Sequence, residues 1–387
     1  MLGLVLSGGG ARGAYEAGAL RFLYDTLGPR LGRPFAPDVI CGTSIGALTG
    51  AWVAARGRDG AVQLARAWQE MEPEHVYRLS WWDAWTLGKG AFWRETPLGA
   101  GQAFFDPRPL YQQVCGTLPW AELHARLDSG ALRAFVVATT EVMTGRCVQF
   151  ADGRGIDPRQ TPTTRLVPAR VGAEHCLASA ALPLWFPSVR VGDRYYVDGS
   201  LRQNTPLLPA ISLGAHRIVM VGVKRGVNQD VPTAPNSPPT PLFLAGKAFD
   251  ALVLDDIEED LREVEGVNQL LRWGQSQYPD FLARVQAHRR LRVVDTAYVR
   301  PDRDVGKLAG DCFEASRARL PWATRSFLSA LHDREADENS DLLSYVYFDK
   351  SFTAELERWG YEDAARDEER LARMLMGEGA EDAENVG

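Results

Sequence analysis

Short uninterrupted apolar runs, each stopped by glycine or a small polar residue, alternate with longer segments of helical period over the first sixty residues. Leu2 to Ser7 (LGLVLS) reads as a buried strand broken by Gly8, Gly9 and Gly10. Ala11 to Leu27 reads as a helix closed by Gly28 and Pro29. Asp38 to Cys41 (DVIC) is a second buried strand. After Gly42-Thr43-Ser44 a helix runs from Ile45 to Arg56 and stops at Gly57. Strand, helix, strand, helix predicts an α/β fold with a parallel sheet. Residues 58 to 130 read as mostly helical and irregular, with Trp81, Trp82, Trp85 and Trp93 crowded together. Further strands are expected at Ala134 to Thr139, Arg146 to Phe150, Arg194 to Val197, Arg217 to Val223 and Arg292 to Val299. Five prolines between Pro232 and Pro241 mark a loop or linker over 225–241. That divides the chain into an α/β domain at 1–224 and a mostly helical region at 242–377, either separate or packed on the same core, with a disordered tail at 378–387.

Composition narrows the classes. The chain has 387 residues, 45% hydrophobic and 24% charged, which excludes bulk disorder. Lys plus Arg is 43 against Asp plus Glu 50, a net charge of -7, which argues against a nucleic-acid partner. The five cysteines form no CxxC pair, so neither a metal site nor a disulfide framework is expected. Cys41 and Cys176 read as small buried hydrophobes. No basic residue precedes Arg12 and no apolar run approaches ~20 residues, so a cytoplasmic protein without signal peptide or spanning helix is expected.

Three strings could carry chemistry. Gly42 to Gly46 (GTSIG) fits G-x-S-x-G, with a buried strand before it and a helix after it. Such a turn pushes the Ser44 hydroxyl off the sheet end. Gly42 and Gly46 remove side chains where backbones crowd, and the helix N-terminus favours a forming oxyanion. A plain serine N-cap gives the same string. Gly8 to Gly13 (GGGARG) presents consecutive backbone N–H groups that can bind an anion. It also spells G-x-G-x-x-G, but the dinucleotide fingerprint needs an acid at the end of strand two, where this chain has Gly42-Thr43-Ser44. The other functional reading is an oxyanion hole: Gly9 and Gly10 donate N–H bonds, with Arg12 adding positive charge. Asp198-Gly199 ends an apolar strand on a turn. A serine nucleophile needs a base, and a desolvated aspartate can serve. An ordinary Asp-Gly turn is the alternative.

Taken in order, GGGARGAYEAGAL, GTSIGAL, ASAALPLWFP and DGSLRQNTP resemble the patatin-like phospholipase family over about residues 2 to 224. The resemblance implies a three-layer α/β/α fold with a mostly parallel central sheet, followed here by a largely helical C-terminal region. It implies a Ser44–Asp198 dyad, an oxyanion hole from Gly8, Gly9, Gly10 and Arg12, and acyl-ester hydrolysis without metal or cofactor. Phospholipids, lysophospholipids or other acyl esters would be the substrates, with transient contact to a membrane surface. Ala178 to Pro187 would line an acyl pocket. Ser200 departs from the Gly or Ala that commonly follows Asp-Gly, which leaves the dyad intact and could alter local packing. The segment LLSYVYFDKSF resembles the tail of some bacterial members, and no chemistry follows from it.

Two other functions compete. One is a Ser-His-Asp esterase or thioesterase for soluble esters, for which His216 follows Asp198 in a formally possible chain order. The other is a nucleotide-binding module on the glycine-rich turn. Trp81 and Trp85 lie i, i+4, which reads either as core packing or as an apolar lid.

Overall fold

The computed structural model describes residues 1–78, 92–96, 99–103, 105–225, 251, 257–289, 291–332 and 341–377. Trp81, Trp82 and Trp85, the Trp93 side chain, the proline-rich segment from 226 on and the tail 378–387 lie outside the described residues.

The strands are β1 (Leu2–Leu6), β2 (Val39–Thr43), β3 (Phe92–Thr96), β4 (Gly99–Ala103), β5 (Ala134–Glu141), β6 (Cys147–Gly153), β7 (Arg159–Gln160), β8 (Thr164–Pro168), β9 (Val189–Val191), β10 (Arg194–Asp198), β11 (Arg217–Val221) and β12 (Asp295–Val299). β3 and β4 pair only with each other. The rest form one sheet in the order β12-β11-β1-β2-β5-β6-β8-β7, with β10 on β5 and β9 on β10. From β12 to β5 every pairing is parallel.

Side chains alternate across the sheet, and both faces are apolar. Leu4, Leu6, Ile40, Phe135 and Val137 face one core. Val5, Val39, Cys41, Val136 and Met220 face the other. Helices α1 (Gly13–Arg21), α2 (Ile45–Gln69) and α3 (Ala173–Ser179) contribute to the first core. So do α4 (Asp341–Val346) and α5 (Lys350–Arg366). Leu207–Ser212 and Ile257–Gln277 supply Leu207, Ala210 and Ile257 to the second. The result is a three-layer α/β/α arrangement. The C-terminal region adds β12 to the main sheet and lays α5 along α1.

One expected helix end falls elsewhere. Gly28 takes helical angles (φ -54°, ψ -53°), and the helix passes through a π-turn at Phe22–Leu27 into a short helix Gly28–Arg30. Pro29 sits beside the end of that run at Arg30. Gly57 does end the helix that starts at Ile45, as expected, and α2 is two helical runs that meet at a kink there. It adopts φ 56°, ψ -124°, and helix resumes to Gln69. Five strands went unpredicted: β3 and β4 lie in the stretch read as mostly helical and irregular, and β7, β8 and β9 are short and lack a clean apolar run.

The sheet brings two distant segments together. β2 runs parallel to β5 and its last rung pairs Thr43 with Ala138. β10 meets β5 antiparallel from the other end and its last rung pairs Asp198 with Thr139. Residue 44 and residue 198 therefore compete for the same stretch of β5, and the chain at Ser44 must turn off the sheet.

Candidate active site

Ser44 is the N-cap of α2, with φ 54° and ψ -123°. Among the described residues, it shares positive φ with only one other non-glycine residue, Leu184. Such a backbone costs on the order of 1–3 kcal/mol and persists only where its surroundings fix it. Here the fixing groups are glycines. A Cβ on Gly46 would lie 2.6 Å from the carbonyl oxygens of both Leu6 and Ser7. One on Gly42 would run into the Gly46 backbone. The helix start thus packs against the end of β1 at backbone distance. The Ser44 N–H donates to Ser179 Oγ at 2.7 Å, and Ser179 Oγ donates to the Ala138 carbonyl at 2.6 Å. Ser179, on α3, pins the elbow to β5.

The Ser44 hydroxyl donates to Asp198 Oδ2 at 2.6 Å. Asp198 Oδ1 accepts from the Ser200 N–H at 2.8 Å and the Ser200 hydroxyl at 2.7 Å. The departure at Ser200 thus gives the carboxylate an additional donor. The Asp198 backbone is held by its N–H on the Ala181 carbonyl and by the Thr140 hydroxyl on its own carbonyl. Asp198 is 1% exposed. Burial pushes its carboxyl up to about 6, and the bonds from Ser44 and Ser200 pull it back only in part. No imidazole stands between the two groups.

The glycine loop sits beside this pair. Ser7 is tied by its N–H to Val221 and by its hydroxyl to Thr205. The Gly8 N–H donates to the Asn204 carbonyl at 3.2 Å. Gly8 was expected among the oxyanion donors; its N–H is already committed, and the residue serves close packing, since a Cβ there would lie 3.1 Å from Ser44 Cβ. Among the described residues the N–H groups of Gly9 and Gly10 have no partner. Gly10, at φ 57°, lines a cavity together with Ser44 and Asp198. Arg12 was expected to add charge at the same place. Its Nε instead donates to Ser344 Oγ at 2.8 Å, its guanidinium lies 4.1 Å over the Tyr345 ring, and it does not line the cavity.

The cavity has a volume of about 450 Å³. Its walls are mostly apolar, with Leu48, Trp52, Trp68, Phe105, Trp185 and Phe186 among them. Ala180, Leu182, Trp185 and Phe186 come from the expected 178–187 stretch. His75 lies at the rim, exposed, its Nδ1 accepting from the Glu72 N–H. His216 is far from this end of the sheet. It bonds the Met1 amine, at the opposite end of β1, so the order Ser44-Asp198-His216 makes no triad. His175 accepts from the Gly172 N–H and packs edge-on to Phe150. Ser179, Asn204 and Ser344 were not foreseen. Ser179 and Asn204 lie inside the motif strings, but their bonds join segments far apart in sequence.

Fold and site together define a three-layer α/β protein with a serine–aspartate pair and a glycine loop at the carboxyl edge of a parallel sheet, where open α/β sheets take their ligands. The family described as patatin-like phospholipase matches residues 4–211, and the chain belongs to that family. A cGAMP-activated phospholipase from Pseudomonas aeruginosa (strain BWHPSA011 / Pa011) is 28% identical over 233 residues, covering 56% of each chain. The chain thus spans little more than half that relative's length. The crystal structure of VipD from Legionella pneumophila superposes with a TM-score of 0.37 at 12% identity, over 88% of this chain and 66% of that one, a likeness too slight to bear on fold or function. Among the described residues no helix is long and apolar enough to cross a membrane.

Proposed function

We propose that this chain hydrolyses lipid acyl esters, as a phospholipase A or lysophospholipase, through a Ser44–Asp198 dyad. The observation that carries the reading is the 2.6 Å bond from Ser44 Oγ to Asp198 Oδ2 in the lining of an apolar cavity. Ser44 Oγ attacks the ester carbonyl carbon and passes its proton to Asp198. The carbonyl π pair moves onto oxygen, and the Gly9 and Gly10 N–H groups receive the charge. When the tetrahedral species collapses, the C–O bond to the alcohol breaks and Asp198 returns the proton to the leaving oxygen. Water then attacks the acyl-serine, gives its proton to Asp198, and releases the fatty acid as Ser44 is reprotonated. An apolar cavity suits an acyl chain, and the substrate would be drawn from phospholipid or lysophospholipid by brief contact with the membrane surface.

The test is a hydrolysis screen on phospholipid, lysophospholipid and p-nitrophenyl esters, with Ser44→Ala as the blank. Ser44→Ala is expected to abolish turnover while the chain stays folded, since losing one hydroxyl costs activity far more than stability. A fluorophosphonate probe should label Ser44. Full activity in Ser44→Ala, with the label on another serine, would overturn the assignment.

A further inference from the structure

The family match ends at residue 211, yet one wall of the cavity comes from much later in the chain. Tyr345, Val346 and Phe348 all line it, and all are buried. This stretch touches the glycine loop at one side. Any Cβ on Gly10 would clash with the Tyr345 carbonyl oxygen, and Arg12 reaches back to Ser344 and stacks on Tyr345. Its other side is fixed to the region after α2. The Tyr77 hydroxyl donates to the Val346 carbonyl at 2.7 Å. Phe348 lies stacked on Trp68, with ring centroids 6.0 Å apart, and meets Tyr77 edge-on at 6.1 Å. Residues 345 to 348 therefore lead from the loop beside Ser44 to the aromatic part of the cavity.

We propose that residues 345–348 form the acyl-selectivity wall: Tyr345 backs the oxyanion loop, and Val346 and Phe348 carry the methylenes of the acyl chain beyond the ester. This rests on the acyl-hydrolase reading above. An ester carbon held between Ser44 and Gly10 starts its chain at Tyr345, and the apolar side chains that follow have no competing polar partner to offer a headgroup. Each methylene buried against this wall is worth about fourfold in kcat/KM. Chain-length preference therefore follows how far the wall leaves the cavity open.

The experiment compares the parent with Val346→Phe, Val346→Ala and Phe348→Leu. The first readout is the ratio of kcat/KM for p-nitrophenyl dodecanoate to that for the butyrate. The second, independent of turnover, is calorimetric binding of octanoate and dodecanoate. Val346→Phe should lower the dodecanoate-to-butyrate ratio tenfold or more, and Val346→Ala and Phe348→Leu should raise it several-fold. Fatty-acid affinity should move in the same sense. Should Val346→Phe fail to fold, the two smaller variants decide the matter. Ratios within twofold of the parent in folded variants would overturn the wall while leaving the hydrolase reading intact. A parent that hydrolyses no ester but binds fatty acids with a length preference these variants shift would overturn the hydrolase reading and leave the wall standing.

Discussion

Asp198 must be ionised to accept a proton, yet it sits where ionisation is costly. The compromise is visible in its bonds: one oxygen faces Ser44 and the other takes two donors from Ser200. With its carboxyl raised to about 6, activity should halve near pH 6 and fall about tenfold per unit below it as Asp198 protonates. Asp198→Asn keeps the shape, removes the base and should lose activity by several orders of magnitude, whereas His216→Ala should retain it. The same shift has a stability sign. The folded carboxyl binds its proton more tightly than the unfolded one, whose ordinary value is 3.8, so folded stability is lost as pH rises from about 4 to about 6. Roughly 3 kcal/mol should go in that window, at 1.36 kcal/mol per unit. Denaturant melts of parent and Asp198→Asn at pH 4 and pH 7 measure it. The gap between them should favour the Asn variant more at pH 7. A gap independent of pH, or an activity limb unmoved from the range of an ordinary carboxylate, would show that Asp198 is not strained in this way.

Among the elements, the β2–Ser44–α2 elbow concentrates the strain. Its residue types were legible in G-x-S-x-G between a buried run and a helix, though a plain serine N-cap gives the same string and the family's other motifs decide for the elbow. Legible too were β1, β2 and β11, whose continuous apolar runs allow little besides a buried strand. What could not be read is which segments meet. From its own residues Asp198 reads as an ordinary Asp-Gly turn and only the family resemblance joins it to Ser44, whereas β10 entering the sheet at the end of β5 gives the physical reason they meet; Ser179 was one small residue in an alanine-rich string. Gly57, by contrast, was legible: it signals a stop, and its non-helical angles (φ 56°, ψ -124°) break α2 into two helical runs at that residue. Gly46 gives the elbow's test. Both nearest atoms to an added Cβ are backbone oxygens at 2.6 Å, which no side-chain rotation relieves. Gly46→Ala should therefore push α2 off β1 and misplace Ser44. We expect fluorophosphonate labelling at least tenfold slower, with a destabilisation of about 1–3 kcal/mol. Labelling at the parental rate would mean the elbow relaxes without cost.

At the scale of the whole molecule, the composition shift after residue 224 suggests a boundary, but the contacts cross it. A Cβ on Gly18 would strike the Glu357 carbonyl, and one on Gly360 the Tyr15 carbonyl, so α1 and α5 meet backbone to backbone. Buried Glu357 takes Arg21 from α1 and Gln69 from α2, and the Thr353 hydroxyl donates to the Trp68 carbonyl. α1 carries the glycine loop at its start, and β12 covers the edge of β11. A fragment of residues 1–224 would leave that α1 face, the buried Glu357 partners and the β11 edge uncovered. Such edges and apolar faces favour association over folding. The expected result is a fragment without a cooperative thermal transition that binds a hydrophobic dye and resists fluorophosphonate labelling at Ser44, whereas the full chain melts cooperatively. Gly360→Val tests the same contact in the intact chain. A branched side chain at a backbone crossing should cost on the order of 1–3 kcal/mol by overpacking and slow labelling through the displaced α1. A 1–224 fragment that melts cooperatively and labels at Ser44 at the full-length rate would show that the α/β part stands alone and that the C-terminal helices only cover it.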